Sequence, residues 1–178
     1  MIIRQAYPFD AAGIADVSVA SWRTTYAGII PADFLARLSR ADREFAYGDR
    51  LSFICTPTSE FAYVAEEEDR IVGFAYAGPK RASLTEYLGE IYALYVLEEY
   101  QGRDIGRRLI SEVVRRFLVN GIDTMIVWVL ICNPACGFYE NLGGGIVAQS
   151  NIDIAGTTLL KIAYGWRDIR AIALTVNS

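Results

Sequence analysis

The chain contains no histidine among its 178 residues. That absence removes a Ser-His-Asp triad, a Cys-His pair and any zinc site built on histidine ligands. Cysteine is scarce as well. Cys55, Cys132 and Cys136 are odd in number and form no Cys-x-x-Cys pair, which fits reduced thiols better than a disulfide framework. Cys132 and Cys136 lie four apart at an expected strand-to-helix junction, so they are either packing residues or close neighbours. No apolar run approaches the roughly 20 residues that span a bilayer. Met1-Ile2-Ile3-Arg4 reads directly into a strand and lacks the basic-then-apolar layout of a signal peptide. A cytoplasmic protein with no membrane partner is expected. The net charge of −4 argues against nucleic acid as the main partner. Repeats, low-complexity tracts and long linkers are missing too, so one domain is expected over residues 1–178.

What is present is a globular composition, with 53% hydrophobic and 21% charged residues, the balance of a chain that buries a core. Ile2 to Ala6 reads as a short first strand. Asp10 can cap a helix over Ala11 to Tyr26, with Ile14, Val17, Ser18, Ser21, Trp22 and Thr25 on one face. Gly28 ends it, Pro31 suits the first turn of a second helix, and Ser39 with Asp42 marks a third running to about Leu51. Phe61 to Ala65 and Ile71 to Ala77 flank a polar turn, as in a hairpin. Gly89 to Leu97 forms a further strand. After the loop at 101–106 comes a helix with the apolar stripe Leu109, Ile110, Val113, Val114, Phe117 and Leu118. Met125 to Ile131 has the continuous apolar character of a strand buried on both faces. Pro134 to Leu142 is a short helix, and strands over Ile146 to Ile152 and Thr157 to Tyr164 close the chain. This order predicts an α/β (α+β) fold with a mixed sheet covered by helices. Residues 165–178 form an extension that either packs on the sheet or joins a homodimer.

The loop Gln101-Gly102-Arg103-Asp104-Ile105-Gly106 lies between the strand ending Leu94-Tyr95-Val96 and a helix. Glycines let a backbone approach phosphate closely, and the first helical N–H groups are unpaired donors at the positive end of the dipole. The spacing is neither G-x-G-x-x-G nor G-x-x-x-x-G-K-[ST], so a nucleotide-binding Rossmann protein is excluded.

The stretch from Glu90 through Leu109 resembles the acetyl-CoA-binding motif of the GNAT superfamily of N-acetyltransferases, Gln/Arg-x-x-Gly-x-Gly/Ala after a hydrophobic strand. A second likeness, from Trp128 through Asn133 and Tyr139 to Gly143, is similar to that family's Asn-containing strand end and Tyr-bearing helix. The resemblance implies a mainly antiparallel sheet of about seven strands flanked by helices, with acetyl-CoA as cosubstrate. It implies that Leu94, Tyr95 and Val96 pair with the pantetheine arm through their backbone. Gln101, Gly102, Arg103, Asp104, Ile105, Gly106 and Arg107 match the pyrophosphate loop. Asn133 matches a pantetheine contact or serves as the cap of the helix after Pro134. Tyr139 matches the tyrosine near the thioester sulfur. Two departures stand out. Asp104 occupies a place where the family usually has glycine, and a carboxylate there repels pyrophosphate unless it points to solvent. The spacing from Asn133 to Tyr139 is one residue shorter than the commoner one.

Amine acetylation requires that an ammonium of pKa about 10 lose a proton and that the leaving thiolate gain one. Without histidine, carboxylates and tyrosines are the candidates. Glu90, expected on the same strand face as Tyr92 and Leu94, matches the position where some family members have a glutamate that acts as base directly or through water; the bland alternative is a solvated strand-end residue. Tyr139 is the expected acid. Trp22 and Tyr26, at the end of the first long helix, and Tyr92 are expected to wall an acceptor site, the aromatic pair by cation–π contact. Three functions remain open: acetylation of a small-molecule primary amine, acetylation of a protein or peptide, and a non-catalytic acyl-CoA sensor. The ribosomal-protein branch is disfavoured, since its Arg-x-x-Asn signature would place arginine where this chain has Leu130.

Overall fold

A computed structural model of the protein describes residues 1–52, 60–81, 84 and 86–174; Cys55 lies outside them. The sheet expected from the element order is present, with seven strands in the order β1-β2-β3-β4-β5-β7-β6. The strands are β1 (Ile2–Gln5), β2 (Phe61–Glu67), β3 (Arg70–Pro79), β4 (Gly89–Val96), β5 (Met125–Leu130), β6 (Gly145–Ile154) and β7 (Thr157–Trp166). The helices are α1 (Ala11–Thr25), α2 (Ala32–Ala36), α3 (Arg40–Ser52), α4 (Ile105–Val119), α5 (Cys136–Asn141) and α6 (Arg170–Leu174). Only β4 and β5 run parallel; the other neighbours are antiparallel. The fold is thus α/β, a mixed and mainly antiparallel sheet flanked by helices.

The polar turn between β2 and β3 is a two-residue hairpin, and both Glu68 and Asp69 take positive φ, as the right-handed twist of the flanking strands favours. Asp10 does not cap α1 through its side chain. Its buried carboxylate instead receives two Arg4 N–H bonds at 2.8 Å and the Tyr7 N–H at 2.8 Å, while Arg4 also reaches Glu66. Ser39 does cap α3, its Oγ accepting the Asp42 N–H at 3.1 Å.

Two features shape the centre of the sheet. In the β3–β4 ladder Tyr76 pairs with Ala93 but Ala77 pairs with Ile91, so Tyr92 is an inserted residue. A bulge of this kind bends and twists its strand. Immediately beyond it, the parallel pairing of β4 with β5 stops: it covers Gly89–Met125, Glu90–Ile126 and Ile91–Val127 only. The two strands then part, leaving a gap through the middle of the sheet.

The C-terminal segment is no appendage. β7 runs two residues past its expected end, and Trp166 pairs with Met125. Trp166 Nε1 donates to the Leu142 carbonyl at 2.9 Å, and Ile169 and Ile172 are buried in the core. Of the two expected places for this segment it takes the first, packing on the sheet, and β7 is longer than expected because a strand's length is set by its partner and not by its own turn signals.

Candidate active site in the gap between β4 and β5

A cleft of about 730 Å³ passes through this gap. One wall is the loop before α4, from Gln101 to Arg107. Gly102 has φ +73° and Asp104 φ +57°, and these left-handed residues turn the chain so that successive N–H groups point outward. The first helical bond is Arg108 N to Asp104 O, 3.0 Å. Among the described residues, the backbone N–H groups from Gly102 to Arg107 donate to no bond within the chain. A run of unpaired donors at the start of a 15-residue helix is a ready anion site. The Asp104 carboxylate is 81% exposed and lies 3.9 Å from Arg107 Nε, so it points away from those donors. Gly106 allows α5 to close against α4, since a Cβ there would stand 3.2 Å from Phe138 Cζ.

The strands supply the floor. Leu94, Tyr95 and Val96 line the cleft with Val127 to Leu130 opposite. Past Ile91 the β4 edge facing β5 is free of strand pairing, and Gln101 Nε2 takes up the Val96 carbonyl at 3.1 Å. Tyr139, carried by α5, lines the cleft and is 5% exposed. Its ring packs near Phe138, Tyr164 and Trp166. Burial pushes the Tyr139 phenol well above its ordinary value, which keeps it protonated. Tyr139 is the more buried aromatic of α5, with Leu142 in the core and the partly buried Phe138 packed against it.

Polar side chains cross the gap on the α1 side. Trp22 Nε1 donates to Tyr95 Oη at 2.9 Å, and Asn133 Nδ2 donates to Tyr26 Oη at 3.3 Å. Burial raises both phenols. Asn133 Oδ1 meanwhile accepts the Ala135 N–H at 2.8 Å, so Asn133 caps the turn into α5 and ties it to α1 with one side chain.

Two expected residues stand off the wall. Glu90 belongs to the still-paired part of β4, is buried, and accepts the Arg81 N–H at 2.7 Å. The bulge also breaks the alternation that would align it with Leu94: Gly78 and Tyr76 pair with Glu90 and Ala93, whereas Ala77 and Ala75 pair with Ile91 and Leu94. Glu90 therefore shares a face with Ala93 and Tyr95. Arg103 turns outward to the Glu99 carbonyl and the Tyr100 ring. Trp22 lines the cleft, but the Arg43 guanidinium already covers its ring at 5.0 Å. Tyr92 lines the cleft too; Arg81 stacks on its ring at 3.5 Å, its hydroxyl donates to the Pro79 carbonyl, and burial pushes its phenol up to about 12. Residues the sequence did not single out complete the chamber on the α1 side: Ser21, Trp128, Ile152, Ile154 and Lys161.

Among the described residues, no helix is long and apolar enough to cross a membrane. The sequence model of the Acetyltransferase (GNAT) family matches residues 23–144. YuaI, an uncharacterized N-acetyltransferase of Bacillus subtilis (strain 168), is 37% identical over 176 residues, covering 98% of each chain. The fold is similar to that of the PaiA N-acetyltransferase from Thermoplasma acidophilum in complex with coenzyme A, with TM-score 0.74, 20% identity and coverage of 93% and 98%. It is also similar to YncA from Salmonella typhimurium with its cofactor acetyl-CoA, with TM-score 0.69, 22% identity and coverage of 93% and 92%. The chain belongs to the GNAT acetyltransferase family and is an acyl-CoA-dependent N-acetyltransferase with acetyl-CoA as its cosubstrate.

Proposed function

We propose that the protein transfers the acetyl group of acetyl-CoA to the primary amine of a small molecule by direct attack. The observation that carries this reading is the cleft itself. It joins the N–H-lined loop and Tyr139 on the α4–α5 side to an aromatic and aliphatic chamber on the α1 side, and among the described residues no cysteine thiol lines it.

The loop fits the cosubstrate: its donors are unpaired, its glycine is open to solvent, and its one carboxylate faces outward. The N–H groups of Gly102 to Arg107 would hold the pyrophosphate, with the β4 edge at Leu94 to Val96, apart from the Val96 carbonyl that Gln101 holds, available to the pantetheine amides. Bound acetyl-CoA supplies a thioester carbonyl carbon to which the amine nitrogen bonds as the C–S bond breaks. Tyr139 holds the proton that the departing sulfur needs. Asn133 and Tyr26 brace the strand end and α5 against α1.

Asp104→Gly is expected to tighten acetyl-CoA binding about 3- to 10-fold. A nearby carboxylate opposes the pyrophosphate even from solvent, whereas the left-handed φ of Asp104 is present without ligand and so bears on stability and not on affinity. Titration calorimetry reads the effect; unchanged or weaker affinity would remove the electrostatic argument.

Among the described residues, the carboxylates lining the cleft are Glu98 and Asp104, both near the loop. The acceptor amine is accordingly deprotonated by water. For thiol release with two acceptors of different amine pKa, kcat/KM should rise tenfold per pH unit up to each amine's own pKa. Tyr139 imposes no fall in that range, because its raised phenol stays protonated up to and beyond the ordinary tyrosine value of about 10. A rising limb at one fixed pH for both acceptors would instead identify an enzyme base such as Glu90.

A further inference from the structure

We infer that the acceptor amine also carries a carboxylate, at the scale of a short apolar amino acid, and that Lys161 is the residue that selects it. This rests on the small-amine reading above.

Strand register assembles the wall. Leu130 pairs with Lys161 and Trp128 with Ala163 across β5 and β7; Ser150 pairs with Lys161 and Ile152 with Leu159 across β6 and β7. Partners across a ladder share a face. Trp128, Leu130, Ile152, Ile154 and Lys161 thus project to one side of the sheet, where Leu130, Ile152 and Ile154 pack with Tyr26, Ile30 and Leu35. All five line the cleft.

Charge on this wall has one sign. Lys161 is half-buried as a residue, and its ammonium sits 4.5 Å from the Trp128 ring centroid. Among the described residues it forms no ion pair, unlike Arg4, Arg40, Arg81 and Arg167, each of which holds a carboxylate. A partly buried lysine without a counter-ion favours an anion beside it. A polyamine or aminoglycoside would bring further ammonium groups against Lys161, and none of the five wall residues is a carboxylate. One ammonium balances one negative charge, which suits a carboxylate better than a phosphate. The isoleucines, Leu130 and Trp128 accept an apolar remainder.

The test compares leucine and phenylalanine with their carboxamides and with putrescine, by thiol release from acetyl-CoA. The amides have the less basic amines and more free nucleophile at neutral pH, so a preference for the acids has to come from the carboxylate. Per molecule of free amine, the acids should be favoured at least about 10-fold in kcat/KM, within the range of a hydrogen bond to a charged group. Lys161→Met should remove that preference by raising KM for the acids about 10- to 100-fold, with kcat, the amides and the melting temperature little changed. Lys161→Arg should retain it. Equal or better kcat/KM per molecule of free amine for amides or putrescine with the wild-type protein overturns the inference while leaving the small-amine reading intact. So does a Lys161→Met protein that loses acids and amides alike. Stabilisation by acetyl-CoA without acetylation of any amine would overturn both.

Discussion

Tyr139→Phe is expected to lower kcat by at least about 100-fold while leaving acetyl-CoA affinity within a factor of two or three. A positioned acid contributes about 10²- to 10⁴-fold, and this substitution removes one oxygen and nothing else. The ring remains held by Phe138, Tyr164 and Trp166, at centroid distances of 5.3, 5.8 and 6.4 Å. Tyr164 is in turn fixed by its hydroxyl, which donates to Glu140 at 2.7 Å. The variant should therefore fold and melt like the parent, so lost turnover reports on the proton and not on packing. Burial that holds the Tyr139 phenol above its ordinary value keeps it protonated, with no phenolate to take up a proton from the amine, which assigns it the leaving-group side of the reaction. Single-turnover thiol release with calorimetric cofactor binding separates the two quantities. Normal turnover in the variant would take Tyr139 out of the mechanism, and CoA would then leave unassisted as the thiolate.

The parts of the fold that were legible in the sequence are those written in local pattern. The stripe of α4, the hairpin of β2 and β3, and the loop between β4 and α4 each carry their periodicity or glycine within a few residues. The candidate site was legible where it depends on such local motifs, as at Gly102, Asn133 and Tyr139. It was not legible where it depends on which strand pairs with which. Nothing local marks Tyr92 as an inserted residue, yet that bulge sets the face on which Glu90 lies. Nor does the apolar run at Met125–Leu130 announce that its second half loses a neighbour and exposes Trp128 to a cleft. Lys161 is an unremarkable strand lysine until the β5–β7 register sets it beside Trp128.

The triplet Gly143-Gly144-Gly145 carries the second large effect, and in sequence its three members look alike. Gly144→Ala should be the most damaging of the three alanine substitutions. A Cβ at Gly144 would stand 2.6 Å from Trp166 Cζ2 and 3.0 Å from the Tyr139 carbonyl oxygen. Trp166 cannot yield easily, because its indole N–H is bonded to Leu142 and its backbone is paired with Met125. Overpacking of this kind costs about 1–3 kcal/mol, or a melting temperature lower by roughly 2–4 °C per kcal/mol in a chain of this size. Whatever displacement relieves the clash passes into α5, since the Gly144 N–H is bonded to the Tyr139 carbonyl at 3.0 Å. A fall in kcat should accompany the lost stability. Gly143→Ala should cost about 1–2 kcal/mol for a different reason, a φ of +80° with open space around its Cα, and should spare kcat. Gly145 has neither constraint, so Gly145→Ala is expected to change little. Differential scanning calorimetry and steady-state kinetics on the three variants test this order. A Gly144→Ala protein with unchanged kcat would show that α5 absorbs the displacement without moving Tyr139, and that the tyrosine's position is set by its aromatic neighbours alone.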